Sequence, residues 1–229
     1  MCAPEDSPVR TIVFDLDGTL ADTSADLIAA ANACFRTLGH GDVLAPGPDA
    51  LTAFQGGRAM LRLGFARLGL DWTEAMVDAH YPALLAAYAE VIDRETTLYP
   101  GAMAAVERFR AAGWRVGICT NKPEGLAEEL LRRLGIRGAF DALVGADTLP
   151  VRKPDPRPLD ETVRRAGGVA GRAILVGDTL TDRATARAAG IPSVLVTFGP
   201  EGQGVARHAP EALLDRYDDL YDLADRLLP

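Results

Sequence analysis

Of the 24 basic residues in this chain only two, Lys122 and Lys153, are lysines. Arginine supplies the rest, so a compositional preference explains the arginines and leaves two exceptions, since an ammonium and a guanidinium are not interchangeable. Cysteine is also rare. Cys2, Cys34 and Cys119 are odd in number and follow no paired spacing, so they point to neither a disulfide framework nor a zinc site. Cys119 reads as a buried strand residue. His40, His80 and His208 have no partner pattern and suggest no histidine chemistry. Trp72 and Trp114 read as packing residues. No apolar run approaches the roughly 20 residues of a membrane helix. The opening MCAPEDSPVR has acids and prolines where a signal peptide would be apolar. The expectation is a cytoplasmic protein without membrane contact. The net charge of -8 provides no basic face for a phosphate backbone, so nucleic acid is not an expected partner.

What is present is enough apolar residue for a sizeable core, 48% of the 229 residues. TIVF (11–14) is a β-branched and aromatic run that ends in DLDGT (15–19), two carboxylates one residue apart. From about residue 99 the pattern alternates helix and strand. Helices are expected over 100–113, 123–135, 159–167, 181–190 and 217–228, and strands over 114–120, 140–146, 173–178 and 193–198. Runs such as AILV and SVLV barely alternate, which suits strands covered on both faces. Residues 21–95 differ: a helix ending at Gly39 and helical stretches at 58–69 and 73–92, with no convincing strand. The fold class is therefore α/β, a Rossmann-like parallel sheet with helices on both faces. Residues 1–20 and 96–229 form the core, and 21–95 form a helical cap standing over the end of the first strand.

In an open parallel sheet ligands bind beyond the carboxyl ends of the strands. Four apolar runs are followed by reactive side chains: Asp15, Asp17, Gly18 and Thr19; Thr120, Asn121 and Lys122; Asp147 and a loop carrying Lys153; Asp178 and, one turn on, Asp182. Carboxylates gathered this closely need a cation among them, and an all-oxygen set suits Mg²⁺ better than zinc.

DLDGT (15–19), TNKP (120–123), KPDP (153–156) and GDTLTD (177–182), in that order, resemble the haloacid dehalogenase superfamily of phosphotransferases over the whole chain. LYPGAMAAVERFRAAG, ICTNKP and VGADTLPVRKPDPRPL are most similar to its phosphoglycolate phosphatase branch. The resemblance implies Asp15 as nucleophile and Asp17 as the acid and base. It implies Mg²⁺ on the Asp15 side chain, the Asp17 carbonyl and Asp178, phosphate binding by Thr120, Asn121 and Lys153, and Asp182 orienting Lys153 or a metal-bound water. Asn121 could instead cap the helix beginning near Pro123, and Asp182 could be a first-turn acid. Lys122 reads as a solvated loop residue. In the cap, FQGGRAM places Arg58 where it could bind a substrate carboxylate bidentately, or stand exposed at a helix start.

The implied substrate is a small-molecule phosphate ester, with 2-phosphoglycolate foremost. A hexose-phosphate mutase, a sugar phosphatase or a pyrophosphatase shares the same core chemistry. An acid at Asp17 disfavours dehalogenation, and the absence of lysine from 21–99 removes a Schiff-base phosphonate hydrolase. A phospho-accepting receiver module is the non-enzymatic alternative, but it carries its acceptor on a later strand and has no insert of this size. Oligomeric state cannot be read from these residues.

Overall fold

The structure is a computed structural model, and it describes residues 9–229. The chain divides into two compact units: one runs to Leu20 and resumes over Leu98–Pro229, the other is Ala21–Thr97. Cys2 lies outside the described residues. Among those residues no helix is long and apolar enough to cross a membrane.

The first unit is built on β1 (Thr11–Phe14), β4 (Arg115–Cys119), β5 (Ala142–Val144), β6 (Ala173–Gly177), β7 (Ser193–Val196) and β8 (Ala212–Leu214), all pairing in parallel in the order β5-β4-β1-β6-β7-β8. All four residues of β1 are fully buried. A strand without a polar face is stable only with neighbours on both edges and cover on both faces, and β1 has β4 and β6 beside it. Register then sets the height at which each strand gives way to its loop. Phe14 lies opposite both Ile118 and Val176, so β1, β4 and β6 end at one level and the residues after them emerge along one edge.

The connections are α5 (Ala102–Ala111), α6 (Glu124–Arg133), α7 (Arg157–Arg165), α8 (Leu180–Ala189) and α9 (Leu220–Leu227), each near its expected place. The short edge strand β8 was not anticipated: three residues are too few for a period to show. The expected helix over 217–228 begins with a short 3-10 turn at Tyr217–Asp219. Trp114 is buried, with its ring edge-on to Phe109 at 5.0 Å between centroids.

The second unit consists of α1 (Ser24–Thr37), α2 (Ala50–Phe54), α3 (Gly57–Arg67) and α4 (Glu74–Val91). The expectation of no strand needs correction, because the chain's exit and return form β2 (Ala21–Asp22) and β3 (Thr97–Leu98), a two-residue pair. Buried polar side chains pin the loops of this unit. Asp26 on α1 accepts the backbone N–H groups of Glu95 and Thr96 and the Thr96 hydroxyl, at 2.8–3.0 Å. Asn32, a turn and a half further along α1, accepts from the N–H groups of Val43 and Leu44 and donates to the Leu44 carbonyl. Phe35 packs on Gly64, where a Cβ would lie 2.0 Å from the ring.

Replacing Asp26 by alanine strands three donors in a buried site, each costing on the order of 1 kcal/mol or more. Asp26→Ala should lower the urea midpoint by the equivalent of about 2 kcal/mol or more, and a change below about 0.5 kcal/mol would contradict this role.

Candidate active site

Asp15 follows β1 directly, and its backbone N–H still bonds to the Val176 carbonyl, so the side chain leaves from a fixed point. One carboxylate oxygen accepts the N–H of Leu16 at 2.7 Å. The other faces the Lys153 ammonium at 3.1 Å. Gly18 then turns the chain with φ of 78°, a left-handed conformation that suits glycine.

Lys153 is buried, and its ammonium also donates to Asp182 at 2.6 Å. Burial disfavours the charge, but Asp15 and Asp182 more than offset this and raise the ammonium pKa above its ordinary value. The second Asp182 oxygen accepts the Thr179 hydroxyl at 2.7 Å, the Thr179 N–H at 3.1 Å and the Asp178 N–H at 3.3 Å. Asp182 thus joins the start of α8 to Lys153. This close approach requires Gly177, where a Cβ would lie 2.3 Å from the Asp182 carboxyl carbon.

Asp178 is buried and accepts the Thr19 hydroxyl at 3.2 Å. The Thr19 carbonyl in turn accepts the buried Tyr217 hydroxyl at 2.7 Å. Burial first, then the charge of Asp182 and of Asp15, pushes the Asp178 carboxyl well above its usual range. Burial likewise raises Asp15 to about 6 against the opposing pull of Lys153. The same burial raises the Cys119 thiol to about 12, which keeps it neutral and inert.

Asp15, Asp178 and Asp182 bring carboxylate oxygens within 4.8 Å of one another. Asp182 faces four donors, against two for Asp15 and one for Asp178, so Asp15 and Asp178 are the side chains better suited to a metal. Three carboxylates against one ammonium leave an excess of negative charge in a buried space, and all the donors are oxygen. Such a set fits a hard divalent cation.

The side chain of Asn121 donates to the Lys153 carbonyl at 3.0 Å, so it braces the lysine loop and does not cap α6. That capping falls to Asp147, which accepts the N–H of Glu124 at 2.7 Å and so serves the helix start. The Thr120 hydroxyl oxygen accepts the Lys122 N–H at 3.2 Å. The expectation for Lys122 is corrected outright: its side chain is buried, with the ammonium 2.8 Å from Asp17. A lysine stem is long enough to turn inward from a loop when a carboxylate offsets the cost of burial. Its rarity in this chain was the signal. Arg58 is the second residue of α3 in the other unit, donating to Asp78 at 2.9 Å and lying 3.7 Å above the Tyr81 ring.

The parallel sheet and the acidic edge with its buried lysine define a hydrolase of known type. Residues 9–190 match the model of the haloacid dehalogenase-like hydrolases, and the chain belongs to that family. Among its relatives, a protein named phosphoglycolate phosphatase from Mesorhizobium japonicum is 41% identical over 220 residues, 95% of this chain and 96% of the relative. One of the same name from Agrobacterium fabrum is 38% identical over 207 residues, 90% of this chain and 88% of the relative. A crystal structure described as a predicted phosphoglycolate phosphatase from Haemophilus somnus superposes with a TM-score of 0.82 at 24% identity, covering 94% of this chain and 97% of that one. CbbY from Rhodobacter sphaeroides in complex with phosphate gives 0.76 at 22% identity, covering 93% and 96%. At these identities the two structures speak for the fold. Membership of a hydrolase family decides against a receiver module.

Two outcomes are expected from this geometry. Gly177→Ala must push Asp182 away from Lys153, and turnover should fall about a hundredfold or more with the far-ultraviolet dichroism unchanged; near-wild-type activity would contradict the close approach. Asp178, whose pKa is raised by folding, binds its proton more tightly folded than unfolded. Its contribution to stability is therefore greatest in acid and is lost as pH rises out of the ordinary carboxyl range. In EDTA, Asp178→Asn should be more stable than wild type near pH 7.5, with the advantage shrinking toward about pH 4. An advantage independent of pH would refute this.

Proposed function

We propose that the protein is a Mg²⁺-dependent phosphatase that hydrolyses a small phosphate monoester, 2-phosphoglycolate foremost, through an aspartyl phosphate on Asp15. The observation that carries this reading is the Asp15 carboxylate held between the Leu16 N–H and the buried Lys153 ammonium at the end of the central strand. Held in this way, the carboxylate can attack without rotating.

In the first half of the reaction an Asp15 oxygen bonds to phosphorus while the ester P–O bond breaks. Asp17 gives its proton to the departing alkoxide. In the second half Asp17 takes a proton from water as that water attacks the phosphorus, which releases inorganic phosphate and restores Asp15. Lys153 offsets the charge gathering between Asp15 and the phosphoryl oxygens, and Thr120 with Asn121 binds those oxygens. Asp182 fixes the Lys153 ammonium. Mg²⁺, held by the Asp15 side chain, the Asp17 carbonyl and Asp178, would reduce the repulsion between a carboxylate and a phosphate dianion.

The substrate assignment rests on the relatives named phosphoglycolate phosphatase at 38% and 41% identity over nearly the whole chain. We assign to Arg58 the binding of the substrate carboxylate. The bond to Asp78 and the ring of Tyr81 hold its guanidinium in one orientation.

A kinetic screen of phosphoglycolate, sugar phosphates and pyrophosphate, read by phosphate release, tests the assignment. Phosphoglycolate should give the highest kcat/KM, and a sugar phosphate isomerised without phosphate release would replace this reading with a mutase. Asp15→Asn and EDTA should each abolish turnover, and substantial residual activity would refute the nucleophile or the metal. Arg58→Ala should raise KM for phosphoglycolate about tenfold while leaving p-nitrophenyl phosphate unchanged; equal effects on both would exclude Arg58 as the carboxylate ligand.

A further inference from the structure

The second of the two lysines has no part in the proposed reaction, yet it is almost as enclosed as the first. The Lys122 side chain is 3% exposed, and its ammonium lies 2.8 Å from one oxygen of Asp17. Its backbone is equally constrained. The Lys122 N–H donates to the Thr120 hydroxyl oxygen at 3.2 Å, and its carbonyl accepts the N–H of Ala146 at 2.9 Å. The β4–α6 loop is thereby tied to the end of β5, and the stem of Lys122 reaches from it to the end of β1.

We propose that Lys122 is a positioning residue for proton transfer by Asp17. This rests on the phosphatase reading. Asp17 is the third residue beyond β1, with its side chain 15% exposed. The buried ammonium of Lys122, 2.8 Å away, holds the carboxyl on the side of the site where β4 ends. As the ester P–O bond breaks, its electron pair leaves on the ester oxygen, and the Asp17 proton moves to that oxygen. A carboxyl displaced by even 1 Å delivers that proton poorly. Lysine suits the position because it brings a compact charge on a flexible stem.

This role makes the cost of losing Lys122 depend on the leaving group. Alkyl phosphates need the proton, because an alkoxide is a poor leaving group. p-Nitrophenyl phosphate hardly needs it. In single-turnover experiments, which read phosphoryl transfer to Asp15 apart from the later hydrolysis, Lys122→Met should slow transfer from phosphoglycolate, or whichever alkyl ester the wild type turns over, at least about thirtyfold. It should slow transfer from p-nitrophenyl phosphate by no more than about threefold. Equal losses on both esters in this step, or no loss on either, overturn the proposal. Wild-type protein that hydrolyses no phosphate ester overturns the phosphatase reading instead. Asp17→Asn/Lys122→Met removes both charges together and leaves neither buried alone, so it tests the same point if the single variant does not fold. Measured on p-nitrophenyl phosphate, it should match Asp17→Asn within about twofold if Lys122 acts through Asp17. A further tenfold loss overturns the assignment.

Discussion

A single buried ammonium, that of Lys153, ties together the parts of the core that carry chemistry. It touches Asp15 from β1 and Asp182 from α8, and its own carbonyl is held by Asn121 from the loop after β4. Without the positive charge, two buried carboxylates would face one another unpaired, and burying an uncompensated charge is among the costliest arrangements a protein can adopt. Arginine, used almost everywhere else, would bring a longer, forked group in place of this compact point charge between two acids on different elements.

The support around that contact comes mainly from backbone. Asp182 is oriented by N–H groups at the start of α8, and Gly177 admits it by offering no side chain. Asp178 is steadied by Thr19, whose carbonyl is held in turn by Tyr217 near the far end of the chain. Phe14, Tyr217, Phe198 and Tyr99 form a run of ring contacts beneath this region. The C-terminal segment, which contributes no chemistry, thereby fixes the turn after β1.

The alternation of helix and strand was legible because β1, β5, β6 and β7 are short, largely apolar runs, each followed by Asp, Gly or Thr. The strands β2, β3 and β8 were not, since two or three residues give pairing no period to show. Residues at the strand ends could be named from their order in the chain, because parallel pairing in one register must bring those ends to one edge. What the sequence does not carry is the direction of a long side chain. Lys122 stands in a polar turn that would suit solvent equally well, and only the fold reveals the carboxylate within its reach. Asp147 shows the converse: it stands at a strand end like the others, yet a nearby helix start takes its oxygen.

The position of β1 also bears on how the chain is made. It precedes the other described strands in the chain and lies inside the finished sheet, between β4 and β6. Thr11 pairs with Arg115 on one side and Ala173 on the other, so its edges stay open until most of the chain has been synthesised. An apolar β-branched segment left waiting is an aggregation hazard. The pair of aspartates just beyond it places two negative charges beside that segment, the kind of flanking charge that opposes premature self-pairing.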